Sequence, residues 1–104
     1  MLHALARISG DFSDNDKVFN KAIEACQESG FAIVGTYIHR FHPQGCTAMV
    51  ILGESHFAVH TYPELNLCHV DCFTCNPEQQ PEMAIEIFAN SMCGKVESLN
   101  VVKR

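Results

Sequence analysis

Residues 46–63 read CTAMVILGESHFAVHTYP. Two runs rich in apolar and β-branched residues, Cys46–Leu52 and His56–Thr61, flank the short break Gly53-Glu54-Ser55, the pattern of a strand, a tight connection and a second strand. In the second run, alternation puts His56, Ala58 and His60 on one face and Phe57, Val59 and Thr61 on the other. Pro63 ends it, since a proline cannot donate to a ladder.

The surrounding sequence extends this pair. Upstream, Phe31–Arg40 carries β-branched and aromatic residues, and His42-Pro43-Gln44-Gly45 turns it into the Cys46 run as a hairpin. Downstream, Leu67–Thr74 reads as another strand, and Leu2–Ile8 and Lys95–Val102 as the first and last. Asp14 is a predicted N-cap for a helix over residues 14–29, with Val18, Ala22, Ile23, Ala25 and Cys26 as its apolar face and Gly30 as its stop. Asn76, Pro77 and Pro81 punctuate the entry to a second helix, with Ala84, Ile85, Ile87 and Phe88 facing inward. The expected fold is α+β, a two-layer sandwich of an antiparallel sheet with both helices on one face. Its other face is left for a partner, water or a ligand.

At 104 residues, 47% of them hydrophobic, the chain suits one compact core and one domain spanning residues 1–104. The amino-terminal residues lack the long apolar stretch of a signal peptide or a membrane span, so a cytoplasmic location is expected. In that reducing setting Cys26, Cys46, Cys68, Cys72, Cys75 and Cys93 are expected as free thiols. A net charge of -5 with scattered Lys and Arg argues against nucleic acid and mildly favours a cationic ligand.

Cys68, Cys72 and Cys75 with His56, His60 and His69 are residue types that bind zinc. However, Cys72 and Cys75 would face opposite ways on an unbroken strand, and no second Cys-x2-Cys pair occurs, so no metal is expected. Cys26 and Cys93 fall in helical patterns and are expected in the core.

Glu54-Ser55-His56 carries the chemistry of interest. By itself the tripeptide reads as a polar turn, with Gly53 allowing an unusual backbone conformation before a hydroxyl. A serine so placed could attack its own preceding carbonyl. The N-to-O shift makes an ester, elimination leaves dehydroalanine, and hydrolysis yields a pyruvoyl group and ammonia.

The run Glu54-Ser55-His56-Phe57-Ala58-Val59-His60-Thr61-Tyr62-Pro63-Glu64, followed by Val70-Asp71-Cys72-Phe73-Thr74-Cys75, closely resembles the signature of the prokaryotic S-adenosylmethionine decarboxylase proenzymes. Phe41-His42-Pro43-Gln44-Gly45-Cys46-Thr47 resembles that family's Pro-x-Gly turn with its hydroxyl residue, and the likeness runs from about residue 14 to the end. The sequence departs from the family at Leu5–Gly10, where an aspartate and a Gly-Cys pair are usual, and at Leu65–His69, where small residues are usual.

The resemblance implies self-cleavage between Glu54 and Ser55 into a β chain, 1–54, and an α chain, 55–104. It implies a covalent pyruvoyl cofactor derived from Ser55 that forms a Schiff base with the substrate. His60 would assist processing, with Thr47 nearby, and Cys75 would be the proton donor in catalysis. Glu64 would bind the ribose hydroxyls and Phe41 would stack on the substrate. The implied activity is decarboxylation of S-adenosylmethionine to the aminopropyl donor for spermidine synthesis, in a homodimer of processed protomers. Arginine or ornithine decarboxylation on the same fold, and a non-enzymatic binding module that never processes, are the alternatives.

Overall fold

The computed structural model describes Met1 to Arg104. In chain order the elements are β1 (Leu2–Ser9), α1 (Asn15–Glu28), β2 (Ile33–Arg40), β3 (Cys46–Leu52), β4 (Ser55–Tyr62), a 3-10 turn (Pro63–Leu65), β5 (Leu67–Thr74), α2 (Pro81–Ser91) and β6 (Lys95–Lys103). Each lies where hydropathy patterning and turn residues predict it, apart from the 3-10 turn. The α1 cap forms as expected: the Asp14 carboxylate accepts from the Lys17 N–H at 3.1 Å. Pro81 opens α2, where its missing N–H would have had no partner.

The six strands form one antiparallel sheet in the order β2-β3-β4-β5-β1-β6. The stretch from β2 to β5 is a meander of consecutive neighbours. Strand β1 then inserts between β5 and β6, pairing with β5 from Leu2↔Thr74 to Ser9↔Leu67 and with β6 along its other edge. Both helices cover one face. The buried residues of β1 (Ala4, Ala6, Ile8), β3 (Ala48, Val50), β4 (Phe57, Val59) and β5 (Cys68, Val70, Cys72) all point to that side and form one core with Val18, Ala22, Ile85 and Phe88. No helix is long and apolar enough to cross a membrane.

Phe57 fixes β4 against the helix layer. It is fully buried, and its ring meets Phe88 of α2 edge-on, with centroids 5.9 Å apart. Burying such a side chain contributes about 1.5–3 kcal/mol, and it holds the segment that begins at Ser55 in one register.

Two expectations are corrected. Cys93 is not core: it is exposed, one residue past the C-cap Met92, with a φ of 56°. The helical spacing that suggested burial ends before it. Gly53 does not occupy the left-handed region. Gly45 does, at φ 91°, and it is the residue that the β2–β3 turn requires to be glycine. Gly53 instead donates its N–H to Ala32 O at 2.8 Å, so the break before β4 is tied down by a hydrogen bond rather than by a strained backbone.

Candidate active site

The face the helices leave open is read from the strand registers. Thr47 and Met49 of β3, His56, Ala58 and His60 of β4, His69, Asp71 and Phe73 of β5, and His3, Leu5 and Arg7 of β1 all lie on it. His39 joins them across from Thr47. Five of the chain's six histidines therefore sit on one sheet surface, His42 being the exception. Alternation makes this possible, because a strand with one face in the core offers every second residue to the outside.

The predicted site residues fall into two groups at opposite ends of β4. At the first end, the Glu54–Ser55 peptide bond sits at the entry to the strand. Its carbonyl oxygen accepts the Cys75 backbone N–H at 3.2 Å, which brings Cys75, exposed just past the end of β5, beside Ser55. An N–H already aimed at a carbonyl oxygen is suited to stabilise the negative charge that develops there when a nucleophile adds. The Ser55 hydroxyl lies 3.2 Å from His56 Nδ1, and His56 Nε2 lies 2.6 Å from Asp71 Oδ1.

At the second end, Thr47 Oγ1 lies 3.2 Å from His60 Nδ1, the two residues being directly paired across β3 and β4. They line a cleft of about 390 Å³ together with Phe41, Tyr62 and Glu64. Phe41 is 51% exposed there and meets the His39 ring edge-on. Beneath it, the Thr61 hydroxyl accepts the Cys46 N–H at 2.9 Å and donates back to the Cys46 carbonyl at 3.3 Å. Within one chain, Ser55 and His60 are five positions apart along a strand, roughly 16 Å at about 3.3 Å per residue. The geometry thus joins Glu54, Ser55 and Cys75, and separately Phe41, Thr47, His60 and Glu64, but not the two sets to each other.

The cysteines divide by depth. Cys26, Cys46, Cys68 and Cys72 are buried, and burial pushes the thiols of Cys26 and Cys68 up to about 12 and that of Cys72 higher still. Such thiols are inert, which leaves Cys75 as the accessible one at the site. The sequence reading missed His3 and Asp71. Asp71 lies inside the quoted motif, but its contact with His56 depends on β4–β5 pairing, and that of His3 on β1 joining β5.

The model of the family described as S-adenosylmethionine decarboxylase matches residues 5–104. The match takes in most of β1. The S-adenosylmethionine decarboxylase proenzyme of Prochlorococcus marinus (strain MIT 9313) is 35% identical over 92 residues, covering 86% of this chain and 74% of that one. The proenzyme of Pelotomaculum thermopropionicum is 36% identical over 106 residues, covering 98% of this chain and 84% of that one. Among solved structures, the adenosylmethionine decarboxylase from Aquifex aeolicus VF5 superposes with a TM-score of 0.77 at 25% identity, over 97% of this chain and 85% of that chain. A family match across nearly the whole chain, on a fold and a serine-bearing strand entry of the kind just described, makes this chain a member of the S-adenosylmethionine decarboxylase family.

Proposed function

We propose that this chain is a proenzyme that cuts itself between Glu54 and Ser55 and, once processed, decarboxylates S-adenosylmethionine with a pyruvoyl group made from Ser55. The observation that carries the proposal is the hydrogen bond from Cys75 N–H to the Glu54 carbonyl. It polarises the bond to be cut and sets Cys75 beside the residue that becomes the cofactor. The site fits a pyruvoyl group: Ser55 opens a strand, so the cut leaves it as a new chain start held by the β4–β5 ladder. The pyruvoyl group supplies a carbonyl that draws electrons from the bond to the departing carboxylate. Cys75 is the proton donor to the substrate carbon.

Substrate recognition falls to the second group. Glu64 offers a carboxylate to the ribose hydroxyls, and Phe41 an aromatic face for adenine and for the sulfonium charge. The product is the aminopropyl donor for spermidine synthesis.

The distance between the two groups leads us to infer a homodimer. Two copies packed through their open faces around a two-fold axis would set the partner's Thr47 and His60 beside Ser55, with His60 assisting the elimination. A two-fold interface presents the same patch twice, so two sites form or none.

The test is intact mass and isotope release. Purified chain should resolve into residues 1–54 and a blocked fragment, 55–104. The processed protein should release labelled carbon dioxide from carboxyl-labelled S-adenosylmethionine and not from arginine or ornithine. An uncut chain after prolonged incubation at neutral pH would end the proenzyme reading, and release from an amino acid alone would end the substrate reading.

A further inference from the structure

Two imidazoles on the open face converge on Asp71. His56 Nε2 is 2.6 Å from Asp71 Oδ1 and His3 Nε2 is 3.5 Å from the same oxygen. The His56 and Asp71 side chains keep 34% and 27% of their exposure and His3 only 16%. Phe73 braces both imidazoles, its ring edge-on to His3 at 5.2 Å and near-parallel to His56 at 6.2 Å.

We propose that His56, oriented by Asp71, is the base that takes the proton from the Ser55 hydroxyl as that oxygen attacks the Glu54 carbonyl. The inference deepens the self-cleavage reading and rests on it. Its ground is the tautomer that the contacts dictate. An ionised carboxylate only accepts, so His56 carries its hydrogen on Nε2, toward Asp71. Nδ1 is left with a free lone pair, and the group 3.2 Å from it is the Ser55 hydroxyl. A hydroxyl, an imidazole and a carboxylate in that order is the arrangement that activates a serine and stabilises the imidazolium that forms.

The three donor atoms of His3, His56 and Asp71 lie within 4.8 Å of one another, as a metal site would require. Arg104 decides against that use. Its guanidinium, which can only donate, reaches His3 Nδ1 at 3.2 Å. Nδ1 must therefore accept, the His3 hydrogen sits on Nε2, and no lone pair is left there for a cation. His3 Nε2 makes no hydrogen bond and stands 3.5 Å from Asp71 Oδ1, a near contact rather than a ligand position. The same chain's His60 stands far along the strand, and a His60 brought beside Ser55 by a partner copy has its Nδ1 engaged by Thr47 and serves the later elimination, so His56 is left for this step.

The step balances within the chain. The Ser55 Oγ–H bond breaks, its proton passes to His56 Nδ1, and Oγ bonds to the Glu54 carbonyl carbon. The negative charge goes to the carbonyl oxygen under the Cys75 N–H. The Glu54 carbon to Ser55 nitrogen bond then breaks, and the nitrogen receives the proton from His56. An ester replaces the amide, with no oxidant or reductant consumed. His56 is thus a catalytic residue of processing, and Asp71 a positioning residue.

Hydroxylamine, which cleaves an ester rapidly and an amide slowly, separates this step from those after it. His56→Ala should slow self-cleavage by about 100-fold to 10,000-fold, the usual worth of a general base. It should accumulate no hydroxylamine-sensitive ester, and added imidazole should restore part of the rate. Asp71→Asn should behave alike but more mildly, with Asp71→Glu recovering part of the loss. His60→Ala, blocked later, should accumulate the ester. His56→Gln, which keeps a polar side chain of similar reach, serves if the alanine variant does not fold. Cleavage of folded His56→Ala at the wild-type rate, or ester accumulating in it, would overturn the proposal. A wild-type chain that never cleaves would instead remove the self-cleavage reading itself, so the two failures are distinct.

Discussion

Thr61→Val tests how the second half of the site is built. The Thr61 hydroxyl takes the place of a ladder acceptor for Cys46, accepting its N–H at 2.9 Å at the point where β3–β4 pairing stops after Thr47↔His60. Cys46 is 1% exposed and Thr61 7%, so water does not replace the hydroxyl. Valine matches threonine in shape and leaves the Cys46 N–H buried without a partner, a loss of about 1–3 kcal/mol. The lost return bond to the Cys46 carbonyl, at 3.3 Å, adds little, and the extra methyl offsets part of the cost. For a domain of this size a urea slope near 2 kcal/mol/M turns that into a midpoint lower by roughly 0.5–1.5 M. The measurement belongs in a Ser55→Ala background, where both proteins remain one uncut chain and two-state analysis holds. Thr61→Ser keeps the hydroxyl and should lose less than Thr61→Val. Cys46 directly precedes Thr47, so in the Ser55 chain Thr61→Val should also slow processing. A Thr61→Val midpoint within 0.2 M of the parent would refute the reasoning, since the Cys46 N–H would then have another partner.

Four further outcomes follow from the same geometry. Co-expressing His60→Ala and Ser55→Ala chains should restore cleavage of the His60→Ala chain, because each mixed dimer holds one intact site; no cleavage in the mixture would count against shared sites. Cys75→Ala should still cleave yet turn over about 100-fold to 10,000-fold more slowly, read as labelled carbon dioxide from fully processed protein. Glu64→Gln should raise KM for S-adenosylmethionine by about 10-fold to 100-fold with kcat little changed, as loss of a charged hydrogen bond in the ground state would do. Stability should fall as pH rises from about 9 toward about 12: the buried thiols of Cys26 and Cys68 stay protonated when folded but ionise when unfolded, so the folded state holds more protons over that window. Alkaline urea titrations with no such fall would mean that those thiols ionise in place.

The local sequence determined the elements, because each is encoded by a pattern a few residues long. The apolar alternation of Phe57, Val59 and Thr61 sets β4 and the face it buries, Asp14 starts α1, and Pro81 starts α2. The Glu54-to-Glu64 run likewise carried the family and the serine to watch. What no local pattern encodes is which strand lies beside which. Tertiary pairing set β1 between β5 and β6, which carried His3 to Asp71 across most of the length of the chain. It bonded Cys75 N–H to the Glu54 carbonyl, and it kept His60 with Thr47 rather than with Ser55. Residue types said that this protein has a serine, histidines and a thiol suited to making and using a carbonyl cofactor. The sheet's register, a property of hydrogen bonds between distant segments, decided which histidine touches the serine.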